Sequence, residues 1–150
     1  MKEIKIEIKR TQELTAEQML EILNERIKVF VVEQQCPYQE VDHKDSVAEH
    51  VILTKNGQMA AYSRIVPHDD PNFISFGRVL VVKEYRRQHL AVALIEAVLK
   101  EIERINPKKP IQIAAQSYLQ DFYQSFGFRP VSEVYLEDGI SHIDLVLNAR

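Results

Sequence analysis

Residues 77–91 read GRVLVVKEYRRQHLA, and this stretch decides the fold of the chain. The apolar run VLVV at 79–82 predicts a buried strand, and the apolar spacing from Leu90 onward predicts a helix. A basic loop, Arg86-Arg87-Gln88-His89, leads directly into that helix. The free backbone N–H groups of a first helical turn and the helix dipole attract anions, whereas cations there are unfavourable unless an anion is bound. The loop therefore indicates a site for an anion such as a diphosphate, the alternative being a solvated basic helix start.

Two widespread phosphate-binding patterns are excluded. The Walker sequence G-x-x-x-x-G-K-[ST] and the dinucleotide sequence G-x-G-x-x-G both need closely spaced glycines. No glycine lies between Gly77 and Gly127. An anion at this loop would therefore be held by a different arrangement of backbone amides and arginine side chains.

Apolar periodicity and turn residues predict the other strands. Strands are expected at 4–8, 50–55, 58–66, 73–83, 110–115, 131–136 and 140–147. Asn56-Gly57 and Asp138-Gly139 predict tight hairpin turns, and Gly77 predicts a bulge.

Three helices are predicted, two of them from capping signals. The first begins at Thr15 with Gln18, and the third begins at Ser117 with Gln120 and ends at Gly127. The apolar stripes of the first and second helices are Leu20, Leu23, Ile27 and Phe30, and Leu90, Leu94, Ile95, Val98 and Ile102. The order β-α-β-β-β-α-β-α-β-β predicts an α+β fold, in which a mixed, mostly antiparallel sheet has helices on both faces.

Composition narrows the class of protein. A length of 150 residues and 45% hydrophobic content predict one domain, 1–150, with its own core. The net charge of −3 argues against a general nucleic-acid binder. Cys36, the single cysteine, excludes an internal disulfide and a multi-cysteine metal site. No apolar run reaches membrane-spanning length and the N-terminus is unlike a targeting peptide, so we expect a cytoplasmic protein with no metal, membrane or nucleic-acid partner.

Several spaced segments resemble the GCN5-related N-acetyltransferase (GNAT) superfamily, and its ElaA-like subfamily in particular. They are the run from Arg26 through VFVVEQ at 29–34, the loop at 86–91, Ala115-Gln116, FYxxFGF at 122–128 and the tail EVYLEDGIxHI at 133–143. The usual loop of the superfamily is R/Q-G-x-G-x-G/A, so Arg87 and His89 stand where glycines are usual. The resemblance covers nearly the whole chain and implies the acyl-CoA N-acyltransferase fold.

The resemblance also implies a cosubstrate, acetyl-CoA, and the residues that contact it. The loop would hold the diphosphate, and the β-strand backbone would pair with pantetheine as an added strand does. The implied cofactor-binding residues are Leu80, Val81, Val82, Arg87, Gln88, His89, Leu90, Ala91, Gln116 and Tyr123. A backbone N–H near Val81 or Val82 would stabilise the carbonyl oxyanion. Arg26 and Phe30 are implied on the acceptor side, although Arg26 is equally explained by pairing with a carboxylate such as Asp42.

Acetyl transfer to an amine also needs an acid and a base. The resemblance places Tyr123 as the general acid that protonates the departing thiolate, the alternative being a core tyrosine. Glu33, as a buried carboxylate with a raised pKa, and His50 are the catalytic bases we predict. Asp42, Glu49 and a water chain are further candidates. For Glu33 a surface role, and for His50 a hydrogen-bonded position in the sheet, are the alternatives.

The expected function is acetyl-CoA-dependent N-acetylation of a small-molecule amine by direct attack in a ternary complex. A non-catalytic acyl-CoA-binding domain and an interaction module on the same fold are the alternatives, because fold does not fix function. The residues carry no code for the acceptor or the oligomeric state, and a homodimer is left open.

Overall fold

The computed structural model describes residues 4–149. Within them the chain forms three α-helices, α1 (Ala16–Ile27), α2 (Leu90–Ile105) and α3 (Gln120–Gln124), and eight strands: β1 (Ile4–Arg10), β2 (Glu49–Lys55), β3 (Gln58–Pro67), β4 (Ile74–Val81), β5 (Ile111–Gln116), β6 (Arg129–Pro130), β7 (Tyr135–Glu137) and β8 (Ile140–Leu147). A π-helical turn, Lys28–Glu33, continues α1.

One sheet contains all the described strands, in the order β1-β2-β3-β4-β5-β8-β6, with β7 paired to β8. Every pairing is antiparallel except that of β4 with β5. These two parallel strands pair only at Ile74 and Ile111, so they diverge toward their C-terminal ends. The divergence opens a cleft in the middle of the sheet, directly before the basic loop.

The two faces of the sheet have separate apolar cores. The predicted stripe of α2 is buried on one face, against residues such as Phe76 and Ile113. On the other face, Ile22 of α1 packs with Tyr62 and Leu80. The predicted α+β architecture, with helices on both faces, is therefore confirmed.

The buried face of α1 differs from the one that its leucines predict. Ile22 is 1% exposed, whereas Leu20 is 67% exposed. The helix turns Ile22 and Arg26, four residues apart, toward the sheet. Arg26 is drawn inward by buried carboxylates, so apolar spacing alone gave the wrong face.

The predicted turns are confirmed. Asn56, Gly57, Asp138 and Gly139 all have positive φ, as the tightest hairpin turns require. A bulge does lie beside Gly77, where the pairing of β3 with β4 changes register, but Arg78 is the residue with positive φ, at 53°.

The segment around α3 departs from the predictions in two ways. Ser117 caps nothing with its side chain, and a 3-10 turn, Ser117–Leu119, leads into α3 instead. The predicted strand at 131–136 is replaced by β6 and β7, because the Ser132 hydroxyl accepts the Asp144 N–H in place of a ladder carbonyl.

Gly127 ends α3 as predicted, and the hydrogen bonds of this helix end hold the backbone of Tyr123 in place. With Gly127 at φ 103°, the Phe128 N–H reaches the Tyr123 carbonyl at 3.3 Å and the Gly127 N–H reaches the Gln124 carbonyl at 2.9 Å. The backbone of Tyr123 is therefore held at the wall of the cleft.

Candidate active site

The cleft between β4 and β5 widens into a cavity of about 900 Å³. Its walls include the end of β4, the basic loop with the start of α2, the end of β5, α3, the turn between β7 and β8 with the start of β8, and the segment from Val29 to Lys44. A cavity of this size is within the range of small-molecule and cofactor sites.

The basic loop has a backbone that glycines usually provide. Arg87 and His89 have φ angles of 67° and 61°, in the left-handed region. Both line the cavity and are exposed, and neither side chain has a hydrogen bond or ion pair within residues 4–149. In the described part of the chain, the N-cap residue of α2, His89, makes no capping hydrogen bond with its side chain. The loop therefore offers unpaired helix N–H groups and a free guanidinium to an anion.

Not every residue of the predicted loop site lines the cavity. Arg87, His89, Leu90 and Ala91 line it, whereas Gln88 accepts a hydrogen bond from Lys55 outside it. Gln116 lines it at the end of β5 and donates to Gln34 at 3.2 Å.

The end of β4 presents one backbone N–H to the cleft. The Val82 N–H donates to the Ala60 carbonyl of β3 at 2.8 Å, so Val82 is unavailable to a ligand, and that prediction is corrected. The backbone N–H and C=O groups of successive strand residues point toward opposite neighbouring strands. Those of Val82 face β3, so those of Val81 point away from β3 and into the cleft. The Val81 carbonyl accepts from Arg86 Nε at 2.9 Å, which leaves the Val81 N–H for a ligand. Leu80 also lines the cavity, but its backbone faces β3.

Glu33 is unsuited to the predicted role of a buried base. Both terminal nitrogens of Arg86 donate to its carboxylate, at 2.8 and 2.9 Å, and this pairing holds the pKa of Glu33 below its usual range. The side chain is also half-exposed. Glu33 instead ties the π-helical turn to the basic loop.

His50 is a structural residue, so its prediction as a catalytic base is wrong. It is fully buried outside the cavity walls, with Nδ1 2.6 Å from the Tyr62 hydroxyl and Nε2 2.8 Å from the Thr11 hydroxyl. Burial lowers its pKa to about 4. Both ring nitrogens are occupied, as expected of the alternative, a histidine within the sheet.

Arg26 is fully buried and cannot contact an acceptor, which corrects its prediction as a substrate-binding residue. It donates to Glu40 at 2.7 Å and to Asp45 at 2.7 and 3.1 Å. Asp42, its predicted partner, accepts from Arg64 instead, at 2.7 and 3.0 Å. Phe30 is half-buried and lines the cavity.

The two remaining predicted bases are also poorly placed. Arg64 holds the pKa of Asp42 below its usual range. Burial and the neighbouring Glu101 carboxylate raise the pKa of Glu49 to about 7, but Glu49 lies outside the cavity walls.

Tyr123 lies in the wall of the cavity, among aromatic rings. The centroids of Phe122, Phe128 and Phe76 are 5.1, 5.9 and 6.2 Å from its ring. Its hydroxyl has no hydrogen-bond partner among residues 4–149, and burial raises its pKa. The phenol is therefore protonated at neutral pH and free to donate.

The predicted site residues did not include Arg78 or His142, which are among the polar groups that line the cavity. Arg78, on the bulge of β4, donates to Glu40 at 2.8 Å and lies over the Tyr38 ring at 5.6 Å. His142, on β8, lies across from Gln116. The sequence signals were a charged residue after a bulge glycine and a histidine shortly after a hairpin turn.

In the part of the chain that the structure describes, no three histidine, cysteine or acidic side chains are grouped so as to hold a metal ion. In the same residues no helix has both the length and the apolar character that crossing a membrane requires.

Comparisons with known proteins agree with this geometry. The acetyltransferase (GNAT) domain family matches residues 11–149. The protein ElaA of Escherichia coli strain K12 is 43% identical over 136 residues, 89% of each chain. Its crystal structure superposes with a TM-score of 0.90 at 39% identity, covering 97% of this chain and 99% of that one. The crystal structure of an acyl-CoA N-acyltransferase from Pseudomonas aeruginosa also gives 0.90, at 37% identity over 96% of this chain and 99% of that one.

Proposed function

Because this chain belongs to the GNAT acetyltransferase family and is ElaA-like, we propose that it transfers an acetyl group from acetyl-CoA to a small primary amine. Membership implies acyl transfer that depends on acyl-CoA. The acetyl donor, the amine acceptor and direct attack in a ternary complex are parts of the proposal.

One observation carries the proposal. The cleft between β4 and β5 opens at a helix N-terminus whose preceding residues, Arg87 and His89, have the glycine-like backbone that brings amides close to a diphosphate. The side chains at these positions therefore do not prevent the loop conformation. Arg87 adds a charged donor that is suited to phosphate oxygens.

The remaining roles are assigned from the donor groups of the cavity that have no hydrogen-bond partner among the described residues. We assign the Val81 N–H as a donor to the thioester carbonyl, since it points into the cleft. We assign Tyr123 as the acid that gives its proton to the departing sulfur, since its hydroxyl is protonated and unpaired. Phe30 would supply an apolar surface to the acceptor.

The alternative of a non-catalytic acyl-CoA-binding domain is favoured by one observation. Neither Glu33 nor His50, the predicted bases, is fit for that role. An interaction module, the other alternative, predicts that CoA does not bind.

A screen of amines with acetyl-CoA separates these functions. We expect amine-dependent release of CoA thiol, and an acetylated amine by mass spectrometry, for at least one class of acceptor. CoA binding without turnover on any amine would support the binding domain, and absence of both would support the interaction module.

A further inference from the structure

We propose that His142 is the general base that removes a proton from the acceptor's ammonium group. This inference rests on the proposed function, because it presumes an amine acceptor. It fills the role for which Glu33 and His50 are unfit.

The strand register puts His142 on the face of the sheet that α1 covers, where Phe30 also packs. Directly paired residues of antiparallel strands point to the same face. Ala115 and Ile143 are such a pair, and both are buried in the core beneath α2. The next pair, Gln116 and His142, therefore points to the opposite face, the one that α1 covers, and both line the cavity at the open end of β5.

Hydrogen bonding selects the form of the ring that can accept a proton. Nδ1 of His142 is 2.8 Å from the Ile140 carbonyl oxygen. A carbonyl only accepts, so Nδ1 carries the hydrogen and Nε2 keeps its lone pair. Nε2 has no partner among the described residues and is not among their buried unsatisfied atoms, so it is open to the cavity.

A stacked neighbour holds the ring in this orientation. Tyr135 lies over His142 with centroids 6.1 Å apart and planes at 26°. The Tyr135 hydroxyl in turn donates to Asp144 at 2.6 Å. The imidazole is therefore supported on one side and bonded at Nδ1, which leaves Nε2 as its reactive atom.

The reaction then balances in protons. Nε2 of His142 takes one proton from the ammonium group, and the free amine nitrogen bonds to the thioester carbon as the C–S bond breaks. Sulfur leaves with the proton of Tyr123, and the second nitrogen proton returns to Tyr123 through water. His142 releases its proton to solvent, so ammonium and thioester give amide, thiol and one proton.

The form of the ring can be tested without any substrate. Long-range proton–nitrogen spectra of the labelled protein should identify neutral His142 as the Nδ1–H form. His68 is an internal control, because its Nδ1 accepts the Asp70 N–H at 2.9 Å and so requires the Nε2–H form. An Nε2–H form of His142 would overturn the proposal.

Kinetics test the role itself, with a pair of acceptors that differ only in basicity. An alkylamine from the screen is compared with its alkoxyamine analogue, which is already unprotonated at neutral pH. His142→Gln should lower kcat/KM by at least about 100-fold for the alkylamine and by less than about 10-fold for the alkoxyamine. CoA affinity should be unchanged, and Ser141→Ala, an exposed neighbour, should behave as wild type.

The outcomes distinguish a failure of the His142 assignment from a failure of the proposed function. If the wild-type protein acetylates no amine, the proposed function fails. If the wild-type protein acetylates the alkylamine and His142→Gln does so within threefold, or loses both acceptors equally, only the assignment of His142 fails.

Discussion

At Arg87 and His89 the chain carries side chains on backbone that glycine adopts most easily. Both φ angles are positive, and neither side chain has a hydrogen bond or ion pair with a described residue that would offset the strain. A residue with a Cβ is disfavoured in the left-handed region by roughly 1–2 kcal/mol relative to glycine. Glycine recovers only part of this free energy, because it also increases the conformational entropy of the unfolded chain. These residues therefore lower the stability of the protein without bound CoA, and Arg87 places a guanidinium beside the cleft.

We expect His89→Gly to raise the free energy of unfolding by up to about 1 kcal/mol, because glycine takes this φ without strain. Urea denaturation without CoA measures it. Glu96→Gly, on the exposed side of α2, is the matched control and should lower the value by roughly 1 kcal/mol. Destabilisation by both changes would show that His89 is not strained.

Tyr123→Phe should separate catalysis from packing. The hydroxyl bonds to no described residue, so its removal should leave folding and CoA affinity nearly unchanged. Loss of a general acid should lower kcat by about 10²–10⁴-fold. Stopped-flow measurement of thiol release under single-turnover conditions decides the matter, and a rate near that of wild type would make Tyr123 a packing residue.

At the scale of elements, two adjacent arginines have different tasks. Arg86 links the basic loop to the π-helical turn through Glu33 and to β4 through the Val81 carbonyl. Arg87 is exposed, with a free guanidinium. The first therefore positions the loop, and the second is available to a phosphate.

Arg87→Ala should weaken CoA binding by about 10-fold, an effect that added salt reduces, because an exposed charge contact to the diphosphate is lost. Arg86→Ala should weaken it less and should lower the melting temperature more. Calorimetric titration and thermal unfolding of the two variants make the comparison. The reverse ranking of affinities would place the phosphate contact on Arg86.

The contact between β2 and α2 should make stability depend on pH. Burial and the neighbouring Glu101 carboxylate raise the pKa of Glu49 from 4.5 to about 7. Folding therefore favours the protonated acid, and this contribution is complete below the unfolded pKa and disappears as pH rises through about 7. Buried His50, whose pKa is lowered to about 4, contributes with the opposite sign over the same range, so the comparison is between variants. From pH 5 to pH 8 the unfolding free energy of the wild-type protein should fall relative to that of Glu49→Gln, whereas the exposed Glu96→Gln should follow the wild type. The same pH dependence in both variants would contradict the assignment.

At the scale of the whole molecule, local signals predicted the elements, and distant contacts determined what local signals missed. Asn56-Gly57 and Asp138-Gly139 specify their hairpins because φ preferences act within two residues. The face of α1 could not be predicted this way, because Arg26 is buried by Glu40 and Asp45 from a later loop. The extent of the one domain, 1–150, stays a prediction.

The candidate site also combines features that local sequence predicts with features that depend on distant contacts. The anion loop was predicted from residues close in sequence, whereas the role of Tyr123 was implied by the family resemblance and stays a proposal. The availability of a base depends on partners far along the chain: Tyr62 and Thr11 occupy His50, and Arg86 occupies Glu33. Such pairings are set by the register of the sheet, which the sequence pattern left open.

Calorimetric titration of acetyl-CoA into the wild-type protein and Ala114→Phe tests the central claim, that the cleft between β4 and β5 is the acyl-CoA site. Ala114 is exposed on β5 and lines the cleft, so a phenyl ring there should obstruct it while the protein still folds. We expect one site in the wild-type protein, with a rise of about 2.7 kcal/mol in unfolding free energy at a hundredfold excess over Kd, and little binding to a folded Ala114→Phe. No heat of binding and an unchanged melting temperature in millimolar acetyl-CoA, or equal affinity for both proteins, would contradict the claim.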